Sequence, residues 1–213
     1  MKTSFGTLPS GEQASLYTIS CGKLTAQISD YGATLVRLYV PDRDGNLADV
    51  VLGYDDANGY AAGTTYFGAT VGRNANRIRN ATFMLGSKTV KLTPNENTHN
   101  LHSGPNSYAY RIWQVVKHTR ESIVFSLESP DGDQGFPGKA DIRVTYTLSN
   151  PATLTISYDA ICDKDTVFNL TNHSYFNLAG HDKPEKAMDM LLLWIPYPLM
   201  LVNRGVCGFL GSN

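Results

Sequence analysis

The strongest pattern in the chain has a period of two. From Ala140 to Leu148, Ile142, Val144, Tyr146 and Leu148 project to one side and Asp141, Arg143, Thr145 and Thr147 to the other, as in a strand with one buried face. Ser149, Asn150, Pro151 and Ala152 supply turn residues, and Leu154, Ile156, Tyr158 and Ala160 resume the alternation. The spacing therefore predicts a hairpin over 140–160. Shorter strands are predicted at Leu24–Ser29, Thr34–Val40, Asp49–Leu52, Phe83–Leu85, Thr89–Leu92, Ile112–Lys117 and Ser122–Leu127. Turn-rich pieces such as 41–46 and 129–133 separate them. No run with a 3.6-residue period, a cap and a stop extends beyond a turn or two. Many short strands punctuated by glycine, proline and asparagine predict an all-β, mostly antiparallel sandwich or barrel rather than an α/β fold.

Composition narrows this picture. The 213 residues suffice to bury one core, and the 19 glycines and 10 prolines are spread rather than clustered, so one domain over 1–213 with no flexible linker is expected. A formal charge of -1, from 18 basic and 19 acidic side chains with no run of either sign, disfavours nucleic acid and acidic membranes as partners. Met1–Ser15 lacks the apolar segment of a secretory signal, and the apolar run from Leu191 to Val202 is interrupted by Pro196 and Pro198 and falls short of the ~20 residues that span a bilayer. The expectation is a soluble, cytoplasmic protein. Cys21, Cys162 and Cys207 are an odd, widely spaced set, read as buried or half-buried free thiols. The densely apolar stretch from Met188 to Pro196 predicts an unpaired edge and an uncovered apolar face near the C-terminus.

Three segments carry candidate chemistry. If Thr166–Leu178 is a strand, Asn169, Thr171, His173, Tyr175 and Asn177 share one face, and Phe168, Leu170, Phe176 and Leu178 the other. Solvated faces usually carry Lys, Glu and Arg, whereas Asn, His and Tyr suit recognition of a neutral, hydroxyl-rich ligand. In 68–78, Arg73 and Arg77 stand four apart with Asn74 and Asn76 between them. That segment reads either as a surface loop with salt-bridging arginines or as a donor cluster at a glycine-permitted turn, with Arg77 forking to adjacent sugar oxygens. The polar loop 94–106 holds His99 and His102, whose spacing permits a metal pair but is followed by no further ligand at suitable spacing, so no metal is expected. A loop histidine near neutral pKa serves equally as donor or acceptor to substrate.

Three blocks, Tyr66–Ile78, Asn100–Pro105 and Asn169–Gly180, resemble the signatures of the aldose 1-epimerase, or galactose mutarotase, family, with supporting blocks at 29–35, 49–54 and 131–138 in matching order. The likeness runs from about residue 20 to about 180 and fades beyond. It implies a large, mostly antiparallel β-sandwich with an open sugar cleft. It further implies interconversion of the α and β anomers of hexoses such as galactose and glucose, without cofactor or metal. Carried over by position, the resemblance makes His173 the general acid that protonates the ring oxygen. It makes His102 a hydrogen-bonding partner near that oxygen, Asn76 and Arg77 the ligands of sugar hydroxyls, and Tyr175 part of the pocket wall.

The same resemblance implies a general base on a late glutamate, preceded by an aspartate that anchors the sugar. The 213 residues contain neither position, so a product incomplete at its C-terminus is expected, with a non-catalytic sugar-binding homologue as the alternative. Glu96 and Asp133 are the carboxylates available as substitutes. A lectin-like sandwich unrelated to epimerases would require the His173 and Arg77 segments to lie far apart.

Overall fold

In the computed structural model, which describes residues 1–183, the alternating segments pair with their sequence neighbours. β1 (Lys2–Thr7), β2 (Gln13–Cys21), β3 (Leu24–Ser29), β4 (Thr34–Pro41) and β5 (Leu47–Asp49) form a five-stranded antiparallel meander in that order. A short helix, α1 (Ala57–Ala62), follows, its N-terminus capped by Asp56, whose Oδ1 accepts from the Gly59 amide at 2.9 Å. The next stretch is turn-rich and holds β6 (Thr70–Val71), β7 (Arg77–Ile78), the hairpin of β8 (Thr82–Leu85) with β9 (Lys88–Lys91), and β10 (Asn100–Leu101). β11 (Gln114–His118), β12 (Ser122–Ser129), β13 (Ala140–Ser149) and β14 (Thr153–Cys162) make a second antiparallel sheet in sequence order, and β15 (Thr171–Asn172) pairs with β6.

The two larger sheets face each other. Ile142, Val144, Tyr146 and Leu148 of β13, the face predicted apolar, are buried against Tyr17, Ile19, Ala26, Ile28 and Leu35 of the first sheet, with Ile123 and Phe125 beside them. Burial of this kind contributes about 25 cal/mol per Å² of apolar surface, so the interleaved face holds the sandwich together. At the seam the Tyr146 hydroxyl is satisfied twice: it donates to the Ala33 carbonyl across the core at 2.6 Å and accepts from the Asn172 amide at 3.1 Å. Cys21 is buried and Cys162 half-buried, both as free thiols. Cys207 and the apolar stretch from Met188 to Pro196 lie outside the described residues.

Three sequence expectations need correction. β1 and β2 were not predicted because β2 buries both faces over Ala14–Tyr17, which erases the alternation. The strand predicted at Asp49–Leu52 ends at Asp49. Thr166–Leu178 is not one strand: outside Thr171–Asn172 it makes only single bridges, Asn169 to Asn74 and Phe176 to Val51. The face assignment consequently fails at its far end. Asn177 is buried, its amide donating to the Lys183 carbonyl at 2.8 Å, while Phe176 and Leu178 are 42% and 62% exposed.

The turn-rich stretch is anchored by Arg73, which is fully buried. Its Nε donates to the Tyr108 hydroxyl (3.3 Å), Nη1 to the Pro137 carbonyl (2.7 Å) and Thr166 Oγ1 (3.0 Å), and Nη2 to Ser129 Oγ (2.7 Å) and the Gly138 carbonyl (3.1 Å). Every N–H of the guanidinium is used, and the rings of Phe136 and Phe168 lie 5.9 and 5.6 Å from its carbon. Arg73 is thus neither the salt-bridging surface arginine nor the ligand-facing donor considered for this segment, but an interior fastener.

Lysine offers three donors without the planar fork, so Arg73→Lys leaves buried acceptors unpaired. We expect it to lower the unfolding free energy by about 2 kcal/mol or more, measured by urea denaturation. Ile161→Ala, at a side chain 78% exposed, is expected to change it by less than about 0.5 kcal/mol.

Candidate functional site

The short pairings that follow from Arg73 bring the predicted site residues together. The Arg73 carbonyl accepts from the Asn169 amide (3.0 Å), and the Asn169 carbonyl accepts from Ala75 N (2.7 Å), aligning 73–75 with the approach to β15. One step on, the His173 amide donates to the Ala69 carbonyl (2.9 Å) and its carbonyl accepts from Gly68 N (3.1 Å). Gly68 is required there, because its φ is +62° and a Cβ would lie 2.0 Å from the Leu35 carbonyl oxygen. Asn172 locks the same junction, donating to the Gly68 carbonyl at 2.8 Å and accepting from Ser174 N at 3.1 Å.

On the other side, β7 pairs with β10, Arg77 opposite Leu101, which delivers His102 beside Asn76. His102 has a left-handed backbone (φ 53°), as does Asn76 (φ 62°), and the Asn76 amide donates to His102 Nδ1 at 3.0 Å. An Nδ1 that accepts a backbone N–H carries no hydrogen, so the neutral ring bears its proton on Nε2 and presents a donor there. Burial is the main reason the His102 pKa is lowered to about 4, reinforced by His173 and Arg77 and opposed by Glu96. The ring is therefore uncharged at neutral pH.

The two imidazoles meet edge to face, with centroids 5.2 Å apart at 86°. Tyr175, 44% exposed, lies 5.3 Å from His173 on its other side, and Phe67 lies 5.2 Å from Tyr175. Tyr66 touches both imidazoles, 4.9 Å from His102 and 5.8 Å from His173. All five residues singled out from the sequence, Asn76, Arg77, His102, His173 and Tyr175, thus converge on one region. The separation of the His173 and Arg77 segments required by an unrelated lectin-like sandwich is absent.

Arg77 is held at the rim of this region. Its Nε donates to Glu96 Oε2 (2.5 Å) and its Nη2 to Glu96 Oε1 (2.6 Å), which leaves the rest of the fork for a ligand. The hydrogen bond and charge of Glu96 raise the Arg77 pKa, and the hydrogen bond from Arg77 leads the causes that hold the Glu96 carboxyl below its ordinary range. Asp133, the second substitute carboxylate, is paired with Arg111 at 2.8 Å through both oxygens and accepts from Ser129 Oγ. Burial pushes its pKa up, but these hydrogen bonds outweigh burial and the carboxyl titrates below its ordinary value. Sequence reasoning missed the Arg77–Glu96 fork, since the partners lie 19 residues apart, and missed Tyr66 as a site residue. An aromatic pair, Tyr66-Phe67, directly ahead of an obligatory glycine was the available signal for Tyr66.

Comparison with known proteins identifies what the chain is similar to. The profile of a family described as aldose 1-epimerase matches residues 15–194. The chain is 43% identical to an aldose 1-epimerase of Haemophilus influenzae over 207 residues, covering 96% of this chain and 60% of that protein. It is 41% identical to a galactose mutarotase of Bos taurus, covering 84% of this chain and 52% of the relative. Among solved structures, a GalM/aldose epimerase homologue from C. elegans superposes with a TM-score of 0.75 at 42% identity, covering 79% of this chain and 52% of that one. A galactose 1-epimerase from Lactobacillus acidophilus gives 0.73 at 26% identity, over 84% of this chain and 53% of that one. The chain spans about half to three fifths of the length of these relatives.

The state of His102 has a measurable consequence. Its pKa is depressed in the folded state, so between about 6.5 and about 4 the unfolded chain binds a proton that the folded chain refuses. The contribution of this residue to stability is therefore complete above pH 6.5 and declines as pH falls toward 4. Two-dimensional ¹H–¹⁵N spectra of the imidazoles should show His102 as the Nε2–H tautomer, with its midpoint near 4. A midpoint near 6.5 contradicts the burial and hydrogen bonding described.

Proposed function

The chain belongs to the aldose 1-epimerase family, and from that premise we propose that its cleft interconverts the α and β anomers of a hexose such as galactose or glucose, with His173 as the general acid. Anomer exchange requires a proton to leave the anomeric hydroxyl while another reaches the ring oxygen. The sugar then opens to the aldehyde, turns about C1–C2 and closes on its other face. The observation that carries the reading is the contact of His173 with a second imidazole that burial keeps uncharged. Two imidazolium ions at this distance would repel, and a neutral His102 removes that repulsion.

In this reading the remaining groups bind. His102 directs its Nε2–H toward the oxygens near C1 and the ring. Asn76 and the part of the Arg77 fork not used by Glu96 take sugar hydroxyls, and Tyr175 walls the cleft beside His173. The family resemblance implies a general base on a late glutamate. Glu96 is a poor substitute, because a carboxylate held low by an arginine is a weak proton acceptor.

A second reading, sugar binding without turnover, is favoured by one observation: both substitute carboxylates, Glu96 and Asp133, are tied to arginines. Polarimetry of freshly dissolved α-D-galactose separates the two. The enzymatic reading expects faster relaxation than buffer, with His173→Ala losing about 10²- to 10⁴-fold of the catalysed rate. Calorimetric galactose binding with relaxation at the buffer rate would favour the second, and neither binding nor acceleration removes both.

A further inference from the structure

Tyr66 is strained and central. Its φ of 55° is left-handed, a conformation that strains an aromatic residue, and it is fixed by a turn in which the Tyr66 carbonyl accepts from Ala69 N at 3.1 Å. That backbone sets its ring against three others at once: His102 at 4.9 Å and 60°, His173 at 5.8 Å and 36°, and Tyr110 at 5.4 Å and 49°. The Tyr110 phenol is pushed upward in pKa first by burial and then by a side-chain hydrogen bond with Tyr66, which engages the Tyr66 hydroxyl. Apart from the imidazoles themselves, no other described residue has a ring contact with both histidines. Strain of this kind persists where the surroundings over-determine it, and here it places a flat apolar surface under both candidate proton-handling groups.

We propose that Tyr66 is a positioning residue for the anomer exchange: its ring, not its hydroxyl, sets the planes of His102 and His173 and keeps water from His102. The inference rests on the reading of the site given above for its link to catalysis, but its effect on the histidines stands independently. Water reaching the face that Tyr66 covers would relieve the desolvation of His102. The titratable and charged groups that face His102 are His173, Arg77 and Glu96, and of these Arg77 and Glu96 hold one another in their own pair.

The test compares Tyr66→Gly, which removes the ring and suits the left-handed backbone, with Tyr66→Phe, which keeps the ring and removes the hydroxyl. Tyr66→Asn, also tolerant of that backbone, serves if the glycine variant is poorly folded. Imidazole titration by NMR should place the His102 midpoint higher by about one unit or more in Tyr66→Gly, toward the ordinary value, and restore the low midpoint in Tyr66→Phe. In polarimetry, Tyr66→Gly should lower kcat by about tenfold or more with a smaller change in KM, since misorientation of the acid is felt in the transition state. An unchanged His102 midpoint in Tyr66→Gly overturns the proposal, as does a midpoint that rises equally in Tyr66→Phe. A wild-type chain without turnover defeats the epimerase reading alone, and the imidazole titration still decides the role of Tyr66.

Discussion

A guanidinium sealed in the interior must have every donor engaged, or the fold pays several kcal/mol for the exposed need. Arg73 meets this condition with acceptors drawn from four separated stretches: Tyr108, Ser129, Pro137 with Gly138, and Thr166. None of those stretches belongs to a long strand at the point of contact except the last residue of β12, so the cation organises loops that the sheets alone leave undefined. Its own backbone is in turn stitched to Asn169, and through Ala69 and Gly68 to His173. The sandwich supplies a rigid support, and one buried charge decides how the irregular segments lie upon it.

The placement has an electrostatic result. Three residues beyond Arg73, Asn76 is fixed by His102, whose amide donates to its carbonyl, and the Asn76 amide donates in turn to His102 Nδ1, leaving that imidazole neutral with its proton on Nε2. His173, one residue beyond β15, stands against it edge to face, with ring centroids 5.2 Å apart. Arg77 sits beside them in a bidentate pair with Glu96, a geometry that restricts rotation of a long side chain. The tautomer of His102 and the orientation of Arg77 each follow from a local hydrogen-bond arrangement rather than from residue type alone.

Much of this was readable from the chain before its fold was known. The Ala140–Cys162 hairpin followed from strict alternation, because β13 has one face in the core and the other outside it. His173 and Tyr175 stood out because Asn, His and Tyr replaced the charged residues expected of a solvated face, whereas Asn76, Arg77 and His102 were singled out by the family resemblance of their segments. Other features were beyond local pattern. β2 buries residues on both faces and loses its period, and 166–178 is irregular, with Asn177 turned inward to hold the Lys183 carbonyl. The fate of Arg73 and Arg77 could not be told apart in sequence, since both lie in one glycine- and asparagine-rich bend. Only the tertiary supply of acceptors sends the first inside and the second to Glu96.

The account stands on a single pyranose being held at once by the histidine pair and by the Asn76–Arg77 rim. A crystal structure of the protein soaked in D-galactose tests this directly. It should show the ring oxygen within hydrogen-bonding distance, about 2.6–3.2 Å, of His173, with His102 Nε2 donating nearby and Arg77 on a hydroxyl of the same sugar. A galactose bound elsewhere, or one touching the rim while both imidazoles remain without sugar contacts, would contradict it.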